Sequence, residues 1–309
     1  MIPIAKPYLD KEEAQAAYDA VLSGWVTQGP RVKQFEEIFA KYVGASYAVA
    51  VSSCTTALHL SMIVSGIKEG DEVICPSMTY IATANAIKYT GAKPVFAEID
   101  PTTYNLDIHH VKQLINKKTK AILLVHQIGM PCDIDSFKEL AEEKNIILVE
   151  DAACAIGSSY KNKKIGSHSD LVCFSFHPRK VITTGDGGMI STSNKTLYEK
   201  LKLLRQHGMS ISDAQRHSAN QVVFEEHIEI GYNYRMTDIQ AGVGIKQLAK
   251  LDSIVQKRRA IAKKYIDELK GIEFIRLPDE TNGYYTNYQS FSIYLLDSCP
   301  IERDNLIQL

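Results

Sequence analysis

The chain has 309 residues, 45% of them hydrophobic, enough to bury a large core alone or with a smaller second unit. Thirty-five Lys and Arg nearly cancel thirty-six Asp and Glu, leaving a formal net charge of −1, so no overall field favours nucleic acid or an anionic membrane surface. The first residues lack the basic patch and apolar run of an export signal, and no apolar stretch approaches the roughly 18 residues that span a bilayer; a cytoplasmic protein is expected.

In chain order, Asp10 followed by Glu13 reads as a capping box opening a first helix. Val32, Phe35, Ile38, Phe39 and Tyr42 form the apolar stripe of a second. From about residue 45 to 195, short β-branched runs alternate with helical stretches, which predicts an α/β fold with a mostly parallel sheet between helices. The strand candidates are 47–51, 72–75, 94–99, 121–125, 146–150, 170–175 and 188–192, several apolar throughout as strands buried on both faces should be. The polar run 210–221 reads as a loop. After about residue 235, Ile239, Val243, Leu248, Leu251 and Ile254 mark one or two long helical segments, followed by strand-like runs at 273–276 and 290–296 and the start of a further helix at 301–303. The expected division is an N-terminal segment with a large domain over 1–245, then a linker helix with a small, cut-short α+β domain over 246–309.

Three segments could carry chemistry. Ile147-Leu148-Val149-Glu150-Asp151 sets two carboxylates at the end of an apolar strand, where ligands of α/β sheets gather. Asp151 there is either a buried charge needing a cationic partner or a helix cap. FSFHPRK (174–180) ends a strand in a proline-broken turn bearing Lys180, with the Gly-rich TTGDGG (183–188) behind it. Such a lysine is either a solvated charge or a carbonyl-trapping amine with a depressed pKa. VSSCTTALHL (51–60) passes from strand through a hydroxyl-rich turn into a helix near Thr55, a geometry that suits a phosphate and suits simple capping by Ser53 and Thr55 equally well.

Taken together, these segments resemble the sugar aminotransferases of the DegT/DnrJ/EryC1/StrS family, pyridoxal 5′-phosphate enzymes of fold type I. The resemblance also covers PIAKPYL, GWVTQGP, PSMTYIATANAI, VHQIGMPCDID, VEDAACAIG, LRQHG and IGYNYRMTDIQA, about three quarters of the chain. It implies that Lys180 holds the cofactor as a Schiff base and shuttles a proton, and that Asp151 pairs with the pyridine nitrogen. Phosphate contacts are implied for Cys54, Thr55, Thr56 and Ser175, and for Asn233 from a neighbouring subunit, hence a homodimer with a shared site. Tyr80 would stack on the ring, or else be an aromatic core residue. Cys154 would approach the ring's 3′-oxygen.

Two positions depart from the family's usual residues: Cys54 stands where Gly is common, and Cys154 where Gln or His is common. Because a thiol is a weak donor, altered tuning rather than lost binding is expected. His177, His126 and His227 are substrate candidates, with His207 also in a matched segment; His59, His109, His110, His168 and His217 read as surface or satisfied residues. No ligand pair has metal-site spacing, and the six cysteines, lacking any C-x-x-C pair, read as reduced thiols.

The reaction that the resemblance implies is a ping-pong transfer of an amino group from glutamate to a keto-sugar of the nucleotide-linked kind. A relative that removes a sugar 3-hydroxyl would carry His in place of Lys180. Amination of a free keto sugar acid, or a non-catalytic regulator on the same fold, are the remaining alternatives.

Overall fold

A computed structural model describes residues 5–211, 224, 226–280 and 283–308. Of the predicted loop 210–221, all but Ser210 and Ile211 lie outside the described residues, as does His217.

Asp10 caps the helix Lys11–Leu22 and Glu13 returns the bond to its backbone, the box expected from the sequence. The second helix, Pro30–Val43, begins with proline, whose missing N–H costs nothing at that position. Nine strands follow: β1 (Tyr47–Val51), β2 (Glu72–Pro76), β3 (Lys93–Ala97), β4 (Thr119–Val125), β5 (Ile147–Asp151), β6 (Ser159–Tyr160), β7 (Lys163–Lys164), β8 (Val172–Ser175) and β9 (Gly188–Thr192). Seven of them form one sheet in the order β1-β9-β8-β5-β4-β2-β3, in which β9 runs against both its neighbours. All seven predicted strands are present, with ends displaced by one or two residues; β5 reaches Asp151 rather than stopping at 150.

The sheet is covered on both faces, which is why its strands are apolar at consecutive positions. Side chains alternate across it: Ile122, Leu124 and Phe174 join Val32, Phe35, Phe39 and Phe137 in one core, while Leu123, Val149 and Cys173 join Leu58, Leu60 and Leu201 in the other. Each such side chain gains about 1.5–3 kcal/mol by leaving water.

The later helical pattern is a single helix, Asp238–Leu269, of 32 residues and so about 48 Å long. Asp238 is buried and accepts the backbone N–H groups of Gly29, Arg31 and Val32, placing an anion at the start of the helix Pro30–Val43. Gly29 is required there, because a Cβ would meet the Asp238 carboxylate at 2.8 Å.

The C-terminal strands are shorter than predicted. Ile275–Arg276 pairs antiparallel with Tyr294–Leu295, and an unpredicted strand, Tyr284–Tyr285, adds itself to the β6–β7 hairpin. Just after that strand, Asn287 reaches the backbone carbonyls of Cys154 and Ile156, which follow β5. Among the described residues, no helix is long and apolar enough to cross a membrane.

Candidate active site

The parallel strands β4, β5 and β8 deliver their carboxyl ends to one edge of the sheet, the place where such sheets open into a crevice. Asp151 is the last residue of β5 and Ser175 the last of β8. After Ser175 the chain turns, with Lys180 N–H donating to His177 O, and the Lys180 side chain reaches back so that its Nζ lies 3.2 Å from Cys154 Sγ.

Asp151 is buried, and its carboxylate accepts from the Thr83 hydroxyl at 2.9 Å and the Ala153 N–H at 3.0 Å. Thr83 spends its only proton on Asp151 and so accepts from Thr79 at 2.8 Å. Burial raises the Asp151 carboxyl above its ordinary value, against the pull of these donors and of the more distant Lys180. Burial alone would push the Lys180 amine down, yet Cys154 and Asp151 hold it above its ordinary value, the reverse of the depression expected from the sequence.

On the far side of the crevice, Ser53 caps the helix Cys54–Val64 through Thr56, in a reciprocal box. Thr56 N–H donates to Ser53 Oγ and its hydroxyl donates to Ser53 O, so both serve the cap in this structure. The amides of Cys54 and Thr55 remain at the open helix end, where the dipole favours an anion. Gly188, opening β9, packs its backbone onto this turn; a Cβ would come within 2.7 Å of Cys54 N. Burial raises the Cys54 thiol well above its ordinary value, with Asp151 adding to the shift.

The other predicted residues fare differently. Tyr80 is 71% exposed, which rules out its reading as a core aromatic and leaves the ring free to cover a ligand. Asn233 is exposed on a segment bridged to β1 at Arg235; its amide oxygen accepts from Arg235 Nε, and it makes no hydrogen bond to the residues above within the described chain. His177 is half-buried in the turn, its Nδ1 accepting from Arg179 N–H. His227 is exposed.

His126 is a correction: it is wholly buried, with Nε2 at 2.8 Å from Glu150 and Nδ1 accepting from Cys132 N–H, so neither ring nitrogen is left for a substrate. The six cysteines are free thiols. Among the described residues, no three His, Cys, Asp or Glu side chains gather as a metal site.

Sequence reasoning missed the role of Thr83, while Ser53 is the cap that the hydroxyl-rich turn offered and Gly188 closes the Gly-rich run. PSMTYIATANAI contained Thr83, but nothing local signals that a helical threonine reaches a strand end 68 positions away.

The chemistry of these donors suits pyridoxal 5′-phosphate. Asp151 is a buried carboxylate with two neutral donors and no contacting cation, so a protonated ring nitrogen would supply the charge it lacks. The helix end at Cys54 and Thr55, close to Ser175, supplies donors for a phosphate.

Comparison with known proteins agrees. The model of the DegT/DnrJ/EryC1/StrS aminotransferase family matches residues 7–309. GDP-perosamine synthase of Vibrio cholerae is 39% identical over 308 residues, covering 99% of this chain and 81% of that protein. The spore coat polysaccharide biosynthesis protein SpsC of Bacillus subtilis is 42% identical over 264 residues, covering 85% of this chain and 68% of its own length. The PLP-form of the sugar aminotransferase Spr1654 from Streptococcus pneumoniae superposes with a TM-score of 0.91 at 30% identity, covering 99% of this chain and 81% of that one. The chain belongs to the DegT/DnrJ/EryC1/StrS aminotransferase family and is a sugar aminotransferase that depends on pyridoxal 5′-phosphate.

Proposed function

We propose that this chain transfers an amino group from glutamate to a nucleotide-linked keto sugar in a ping-pong cycle, with Lys180 as the proton-carrying lysine and Asp151 as the partner of the cofactor's ring nitrogen. The observation that carries this is the Lys180 amine and a buried Asp151 without a contacting cation, near enough to influence each other, with the start of the helix Cys54–Val64 nearby.

Bound pyridoxal phosphate supplies a carbonyl carbon that takes up nitrogen and a ring that draws electrons from the reacting carbon. The chain's residues do the rest. Lys180 Nζ takes the proton from the donor's α-carbon and, in the second half, returns a proton towards the sugar carbon that gains nitrogen. Asp151 keeps a proton on the ring nitrogen, oriented by Thr83 and the Ala153 amide.

The amides of Cys54 and Thr55 with the Ser175 hydroxyl hold the phosphate, Tyr80 covers the ring, and Cys154 lies towards its 3′-oxygen. Asn233 of a second copy completes the phosphate contacts in a cytoplasmic homodimer. The similarity to a GDP-perosamine synthase supports a nucleotide-linked acceptor over a free sugar acid.

The test is direct. Borohydride reduction of the holoprotein should fix the cofactor to Lys180, and glutamate should bleach its visible absorbance. Cofactor recovered on another lysine, or no response to glutamate, defeats the assignment. Turnover of keto sugar acids with none of nucleotide-linked keto sugars defeats the acceptor.

A further inference from the structure

Residues 286–289 run between the long helix and the site, and their backbone is pinned from the helix side. Arg259, ion-paired with Glu280, donates to Thr286 O at 2.7 Å. Arg258 Nη1 donates to the carbonyls of Tyr288 and Gln289, each at 3.1 Å. Between them Tyr288 sits at φ +47°, a left-handed conformation that a non-glycine residue keeps only where its surroundings enforce it.

This pinned turn presents two amide side chains to the site. Asn287 is wholly buried: its Nδ2 donates to Cys154 O and Ile156 O at 2.8 Å each, and its Oδ1 accepts Gln289 N–H at 2.8 Å. Its own N–H donates to Ser158 Oγ at 3.0 Å. Gly129, at φ +102°, makes the room, since a Cβ there would strike Asn287 Oδ1. Gln289 Nε2 donates to Arg179 O at 2.7 Å, the carbonyl immediately before Lys180. One short segment therefore grips the backbone at Cys154 and, through Arg179 O, immediately before Lys180, on both sides of the Lys180–Cys154 contact.

We propose that Asn287 and Gln289 are positioning residues that set where the Lys180 amine stands in the crevice. They touch no reacting atom; they fix the separation of the two backbone strands across which Lys180 reaches. A planar amide is required at 287 because one group must donate twice and accept once. The proposal rests on Lys180 being the cofactor-linked lysine.

The experiment uses the holoprotein. Because Asn287→Asp sets a carboxylate against two carbonyls and can prevent folding, the deciding variants are Gln289→Leu and Gln289→Glu. Gln289→Leu should lower kcat about ten-fold, the worth of roughly one hydrogen bond, with KM for both substrates unchanged. It should also shift the pH midpoint of the bound cofactor's visible absorbance.

Gln289→Glu should match it at about pH 8 and recover relative to wild type as the pH falls and the carboxyl regains a proton to donate to Arg179 O. Wild-type kcat and midpoint in Gln289→Leu overturn the proposal, as does a change confined to KM or a Gln289→Glu defect that ignores pH. Borohydride mapping on the same samples separates the two claims. Cofactor on Lys180 with an unmoved midpoint sinks the positioning role alone, and cofactor on another lysine sinks the reading beneath it.

Discussion

Glu150 and Asp151 are neighbours at the end of β5, and the pleat sends them to opposite faces of the sheet. Glu150 accepts from His126 Nε2 at 2.8 Å in a wholly buried pair, the other ring nitrogen taking the Cys132 N–H. Asp151, equally buried, finds one hydroxyl and one amide, and burial raises its pKa. The same residue class one position apart is tied to a ring of its own chain on one face and, in the function proposed above, left for a ligand's cation on the other.

The sharpest way to break this contrast is Lys180→Ala, which should lower transamination by about three orders of magnitude or more in a coupled glutamate assay. Next, His126→Ala should leave Glu150 unpaired and cost about 3–5 kcal/mol in denaturant unfolding, while the folded fraction keeps its kcat. If His126→Ala instead abolishes turnover in a well-folded protein, the two faces are not separate.

Asp151→Asn should invert that outcome. It should raise the melting temperature of the cofactor-free protein at neutral pH, because it removes an uncompensated buried charge, yet lower kcat about a hundred-fold. The sign follows from the raised carboxyl: its folded-state penalty is absent below the unfolded pKa and grows as pH rises through the folded one, so the gain in Asp151→Asn should vanish in acid.

The smallest effect is expected at Cys154. Since this thiol helps hold the Lys180 amine above its ordinary value, Cys154→Ala should enlarge the neutral amine fraction near pH 7 and speed cofactor uptake by a few-fold, measured by the growth of visible absorbance. Cys154→Gln should in addition move the spectroscopic titration of the holoprotein.

Much of this was legible in the sequence where the signal is local. Alternation and consecutive apolar positions marked all seven strands of the main sheet, and Asp10 with Glu13 marked a helix start to the residue. Asp151 and Lys180 stood out because one ends an apolar strand and the other follows one, whereas Ser175 was singled out only by the family resemblance.

What stayed hidden depends on contacts across the chain. His126 looked like a site residue because its segment borders the crevice, and only the register Leu124 with Glu150 reveals that it turns to the other face. Asn287 and Gln289 carried no signal at all, since their partners lie more than a hundred positions earlier.

The buried Asp238 has a consequence for the order in which the molecule is made. It satisfies amides of Gly29 and Val32 from 209 and 206 positions downstream, so the N-terminal helix Pro30–Val43 cannot acquire its anchoring anion until the ribosome has released residue 238. Until then the helix that carries the core residues Val32, Phe35 and Phe39 lacks the carboxylate that closes its amino end.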